Sequence, residues 1–173
     1  QSAYELLATA ARKHFGGTLA GKLVLASGSG LGIVNGAHAL AATIHGAAFL
    51  GIEVNPEQIK RRVKSGYCDV MVNDLDEALR ILKNAVRRRE AASVGLVGNA
   101  AAFIPELARR GVLPDIVCVD QTAAHDALQN HVPRGLTVEQ AAALQSADAG
   151  AYRRQSLDSI AEQARGELEL QRL

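Results

Sequence analysis

Glu53 closes an apolar run, residues 47–54, about twenty residues after a glycine-rich turn, Ser27-Gly28-Ser29-Gly30-Leu31-Gly32. A strand-like segment, Lys22 to Ala26, precedes the turn, and a helix-like one, Gly36 to Ala48, follows it. Strand, glycine turn, helix, strand and acid is the order that cradles a dinucleotide. The glycines let backbone approach a pyrophosphate, and the helix N-terminus offers N–H donors with a partial positive charge. A carboxylate ending the second strand accepts ribose hydroxyls and repels a 2′-phosphate, so Glu53 predicts NAD rather than NADP. The turn does not spell a clean G-x-G-x-x-G. Gly30 and Gly32 fit the first two places, Asn35 stands at the third, and Gly36 comes just after. A turn that merely packs a helix closely onto a sheet would read the same way at this level.

Two further polar loops follow strand-like segments. Gly98-Asn99-Ala100 comes after Ser93 to Val97, and Asp120-Gln121-Thr122-Ala123-Ala124-His125-Asp126 runs straight on from Ile116 to Val119. In an open parallel sheet, ligands sit where loops converge at the carboxyl ends of the strands. Asn99 suits a helix cap, and its amide is equally suited to meet a dinucleotide. Taken alone, His125 reads more naturally as a hydrogen-bonded loop histidine than as a catalyst. His38 and His45 lie two helical turns apart, too far for a metal pair without a third ligand, so no metal site is expected. No Ser-His-Asp set, paired catalytic carboxylates or activated cysteine is visible. The chain reads as a cofactor holder without a catalytic residue of its own.

The elements that must position these loops follow from caps and periodicity. Ala3 to Lys13 is helical and stops at Phe15-Gly16-Gly17. Asn55-Pro56-Glu57-Gln58 starts a basic helix, with Asn as cap, Pro at the first position and Gln reaching back. A brief strand is expected over 69–72, and Asp74-Leu75-Asp76-Glu77 caps a helix carrying Leu75, Ala78, Leu79, Leu82 and Val86 on one stripe. Arg87, Arg88 and Arg89 close that helix as a solvated end. Strands rich in Val, Leu and Ile, alternating with helices, predict an α/β fold. It is a Rossmann-like, doubly wound parallel sheet with helices on both faces. Beyond Pro133 two helices are expected without another strand: one capped by Thr137-Val138-Glu139-Gln140, the other lined by Leu157, Ile160, Ala161, Ala164 and Leu168. Residues 1–173 are read as one domain, with 134–173 as its helical return segment.

Composition limits the partners. Hydrophobic residues at 48% and charged residues at 21% describe a globular chain. A net charge of +1 and 3% aromatics leave no footprint for nucleic acid. No apolar run is long enough to span a membrane, and no signal peptide is visible. Cys68 and Cys118, in apolar surroundings, are expected to be buried free thiols of a reducing compartment, which points to the cytoplasm. The start at Gln1, without Met, suggests a piece of a longer chain.

Over almost its whole length the sequence resembles the NAD-binding domain inserted in the urocanases (urocanate hydratases). The resemblance is carried by Arg12-Lys13-His14-Phe15-Gly16-Gly17, Gly36-Ala37-His38-Ala39-Leu40-Ala41, Ile52-Glu53-Val54-Asn55-Pro56 and Gly66-Tyr67-Cys68-Asp69. It continues through Asp74 to Leu79 and Ser93 to Ala101, and is most specific in Asp120 to Asp126. It implies a lyase of histidine degradation in which oxidised NAD is an electrophile rather than a hydride acceptor. Water is added to urocanate to give imidazolonepropionate, and NAD stays bound throughout. It further implies cofactor contacts at the glycine turn around Ile33, Val34 and Asn35, then at Glu53, near Gln58, and at Asn99 and Ala100. Gln121, Thr122, Ala123, Ala124 and His125 would follow, and then His131 and Val132. Urocanate, or a related imidazole acrylate, would be met through a flanking core domain that also carries the catalytic cysteine. The full-length protein would be a homodimer, mostly through surfaces outside this segment.

The chain departs from the family at several of these positions. Ile33 and Asn35 stand where the family has glycines, His38 where it has a glutamine, Gln58 where it has an arginine, and His131 where it has a tyrosine. One extra residue lies around Cys118-Val119. Two other readings use the same residues: an ordinary NAD-dependent dehydrogenase domain, or a nucleotide-binding module without catalysis.

Overall fold

The computed structural model describes residues 3–27, 36–119 and 132–172. In chain order the elements are α1 (Ala3–His14), β1 (Leu23–Ser27), α2 (Gly36–Ile44), β2 (Ala48–Glu53), α3 (Pro56–Lys64) and β3 (Val70–Val72). They continue with α4 (Leu75–Arg88), β4 (Ala92–Val97), α5 (Ala100–Arg109), β5 (Ile116–Val119), α6 (Val138–Ala147) and α7 (Ala149–Arg172). The five strands form one sheet in the order β3-β4-β2-β1-β5, and every pairing is parallel.

This is the doubly wound α/β sheet expected from the alternation of strands and helices. One face carries α1 and α2, whose Leu7, Ala11, Ala39 and Ala42 pack with Val24 and Phe49. α3 joins them there: its Ile59 lies so close to Gly95 of β4 that a Cβ at Gly95 would come within 2.5 Å of it. The other face carries α4 and α5, whose Leu79, Leu82, Ile104 and Leu107 cover Leu25, Leu50, Val94 and Leu96. The expected apolar stripe of α4 is thus realised, and its Leu75, Ala78, Leu79 and Leu82 are all buried.

Caps set most of the helix starts. Thr137 and Gln140 form a complete capping box, with Gln140 N donating to Thr137 Oγ1 at 3.1 Å and Thr137 N to Gln140 Oε1 at 3.0 Å. Asp74 accepts from Glu77 N at 3.2 Å. At α3 the expected reach back by Gln58 is replaced. Asn55 Oδ1 caps Glu57 N, and the N–H of Asn55 itself is taken by Glu53 Oε1 at 3.2 Å.

Two features depart from the sequence expectation. The helix read as Gly36 to Ala48 ends at Ile44, because Gly46, at φ 89°, turns the chain and frees Ala48 to begin β2. The larger difference is the orientation of α7. Its buried residues are Tyr152, Ser156, Ser159, Gln163, Gly166 and Leu170. The expected lining residues Leu157, Ala161, Ala164 and Leu168 are exposed instead, and Ile160 is half-buried. The reason is distance. A Cβ at Gly166 would sit 3.0 Å from the side chains of Ile104 and Pro105 of α5, so at that point only glycine fits between the two helices. Ser159 is also tied down there, its Oγ accepting the N–H of Arg134 at 2.6 Å.

The two thiols are free, Cys68 buried and Cys118 half-buried. Burial pushes both above the ordinary thiol range. Among the described residues no helix is long and apolar enough to cross a membrane.

Candidate functional site

Because all pairings are parallel, the strands end together at one edge of the sheet. Ser27 of β1 is the register partner of Ile52 in β2 and of Val119 in β5, and Glu53 of β2 is the partner of Val97 in β4. The chain passes from β1 through α2 to β2 on one side of β1, and from β4 through α5 to β5 on the other. That reversal makes β1 and β5 the switch point of the sheet, where open α/β folds place their ligands.

Glu53 sits at the tip of β2, 1% exposed. A buried carboxylate needs donors, and the Asn55 N–H at 3.2 Å is one of them. The backbone carbonyl of Glu53 accepts Gly98 N at 2.9 Å, which joins the β2 tip to the loop after β4. In that loop Asn99 caps α5, its Oδ1 accepting Ala101 N at 2.9 Å, while its Nδ2 donates to the carbonyl of Val132 at 2.6 Å. Its amide therefore does what the cap required and also pins the segment leading to α6.

Beyond these tips lies a cleft of about 580 Å³. It is lined by Val54, Asn55, Pro56 and Glu57 from the β2 side and by Val97, Gly98 and Asn99 from the β4 side. Leu136, Thr137, Val138 and Glu139 close it. The N-termini of α3, α5 and α6 thus border one hollow, with apolar walls from Val54, Val97, Leu136 and Val138. The volume falls within the usual range for small-ligand pockets, roughly 300–1,000 Å³.

Of the residues singled out in the sequence, Glu53, Gln58, Asn99, Ala100 and Val132 are described. Asn99 lines the cleft, and Glu53 lies directly behind Asn55. Gln58 is half-buried on the first turn of α3, one residue past the lining. Ala100 and Val132 are fully buried, Ala100 in the core over the sheet and Val132 with Ala141 and Tyr152. Neither lines the cleft. Gly30, Gly32, Ile33, Val34, Asn35, Gln121, Thr122, Ala123, Ala124, His125 and His131 lie outside the described residues.

Sequence reasoning did not foresee the wall made by residues 136–139. Its only sign was the Thr137–Gln140 capping box, which marks where a helix starts and carries nothing about what the start faces. Among the described residues no three His, Cys, Asp or Glu side chains come together as a metal-ligand group.

A family model for the urocanase Rossmann-like domain matches residues 1–173. The all-parallel sheet, with its switch point at β1, is the architecture that description names. By sequence match and by fold, the chain belongs to the urocanase family.

Proposed function

We propose that the chain is the NAD-binding domain of a urocanase-like hydratase, residues 1–173 forming one domain and 134–173 its helical return segment. The observation that carries this reading is the shared edge of the sheet. The tips of β2 and β4 open on one cleft, and β1 and β5, which lead into the glycine turn and the 120–126 motif, end beside them.

The residues present fit the adenosine end of a dinucleotide. Apolar side chains from Val54, Val97, Leu136 and Val138 flank a slot of suitable size, and an acid stands at the end of the second strand. Glu53, buried here against the Asn55 N–H, accepts ribose hydroxyls once its side chain turns into the cleft. Asn99 holds the α5 N-terminus and the Val132 carbonyl in fixed relation, so Ala100 and Val132, both buried, keep the border of the cleft in place. By the family resemblance, Gly30, Gly32, Ile33, Val34 and Asn35 are the residues that would contact the pyrophosphate. By the same resemblance, Gln121 to His125 and His131 would supply further contacts, and Gln58 would stand near the bound cofactor. Bound NAD supplies an oxidised nicotinamide as the electrophile for hydration of urocanate or a related imidazole acrylate. The catalytic groups belong to a flanking core domain, in a cytoplasmic, homodimeric parent.

Mass spectrometry of gently unfolded protein tests this directly, with release of NAD as the expected result. Calorimetry on stripped protein is expected to show NAD binding more tightly than NADP. Binding of neither dinucleotide would reject the proposal.

A further inference from the structure

Helix α7 buries Ser156, Ser159, Gln163 and Gly166 along with Tyr152 and Leu170, while a run of its leucines and alanines stays exposed. Leu157 is 48% and Leu168 55% exposed. With Ala161 and Ala164, also exposed, they form a stripe spaced four, three and four residues apart, the heptad spacing of a helix–helix seam. The stripe lies opposite the face that packs on α5, and none of its residues lines the cleft at the strand tips.

Read backwards, the stripe is unchanged: Leu-Ala-Ala-Leu. One flank carries Arg154, Asp158, Arg165 and Glu169, all exposed. Reversed, that series sets Arg154 against Glu169 and Asp158 against Arg165, so every position meets its opposite charge. The stripe is centred between residues 162 and 163 and the charge series between 161 and 162, one residue apart along the helix. Among the described residues these four charges form no ion pair. A partner of another kind does not require a pattern that survives reversal; a two-fold contact between identical helices does.

We propose that α7 is a self-association surface, pairing antiparallel with α7 of a second copy of this chain. Leu157 packs against the second copy's Leu168 and Ala161 against its Ala164, while Asp158 and Arg165 pair across the flank. The central alanines let the two backbones approach closely, and the leucines fill the ends. The contact is separate from the dimer surfaces that the family resemblance places outside this segment, and it does not depend on NAD binding. The seam is short, and small interfaces are weak or transient, so the dissociation constant is expected on the order of 100 µM.

Sedimentation velocity of the 173-residue chain from micromolar to millimolar concentration reads this out. A reversible monomer–dimer equilibrium is expected, and Asp158→Arg or Arg165→Asp alone is expected to weaken it at least tenfold. Mixing the two single variants restores association, because positions 158 and 165 then face each other with opposite charges again. The double variant Asp158→Arg/Arg165→Asp recovers it within one chain. A wild-type chain that stays monomeric, single variants that associate like wild type, or a mixture that remains monomeric would each overturn the proposal. The first outcome would assign the stripe to a different occupant.

Discussion

Asn99 reaches across thirty-three residues of chain to hold Val132, its Nδ2 donating to the Val132 carbonyl at 2.6 Å while its Oδ1 caps α5. One side chain thus ties the tip of β4 to the segment that leads into α6, on the border of the cleft. Asn99→Ala removes the cap and strands a carbonyl, and is expected to destabilise by about 1–3 kcal/mol. Asn99→Asp keeps the cap but loses the donor, so its loss should be smaller. Denaturant unfolding separates the two: equal losses would show that the cap contributes nothing, and an unchanged Asn99→Asp would show that the Val132 contact contributes nothing.

Glu53 orients Asn55 and, in the proposed function, reads the ribose. Glu53→Ala is expected to weaken NAD binding by about 1–3 kcal/mol, the range for hydrogen bonds to a charged group. Glu53→Gln should also narrow the preference for NAD over NADP, because the charge that repels a 2′-phosphate is gone. Calorimetric affinities that stay unchanged in both variants would remove Glu53 from the site.

Gly95 makes room for Ile59, whose Cγ2 lies 2.5 Å from where a Cβ would stand. Gly95→Ala is expected to cost about 1–3 kcal/mol through overpacking between β4 and α3. Ile59→Ala opens a void of its own, but the double variant should lose less than the sum of the two single losses, since the clash disappears with the side chain. Additive losses would mean that the two residues are not in contact.

Acid stability should carry the mark of Glu106. Hydrogen bonds from Arg109, and then from Arg110, draw its carboxyl down from an ordinary 4.5 to about 2. A carboxyl that binds its proton less tightly in the fold than in the unfolded chain favours the fold wherever it is ionised. That support is complete above about pH 4.5 and disappears as pH falls towards 2. Glu106→Gln should therefore lower the unfolding midpoint at pH 7 and match wild type near pH 2.

Glu167 acts in the opposite sense. Burial raises its carboxyl above the usual range, with the amide of Gln163 at 3.0 Å only partly offsetting the effect. The fold then holds the proton more tightly than the unfolded chain does, so stability falls as pH rises through the range between the two values. Glu167→Gln is expected to stabilise at pH 7 and to give no gain below about pH 4, where both states are protonated. A stabilisation that persists at low pH would point to packing rather than charge.

Much of this architecture was legible in the residues themselves. Caps at Asn55, Asp74, Asn99 and Thr137 act on N–H groups two or three positions away, and a glycine turns the chain where it stands. Parallel pairing was legible too, because strands buried on both faces must be apolar throughout. The acid at the end of β2 and the asparagine after β4 were placed correctly for the same local reason. Other features depend on what lies across space. The sequence offered Gln58 to the Asn55 N–H; the tertiary structure placed Glu53 there. Residues 136–139 became a wall of the cleft only because α6 folds back against the strand tips. On α7, periodicity shows that an apolar stripe exists but not what faces it. α5 presents Ile104 and Pro105 so close to Gly166 that no side chain fits there, and packing turned the face with Gly166, Ser156 and Ser159 inward and left Leu157 and Leu168 outside.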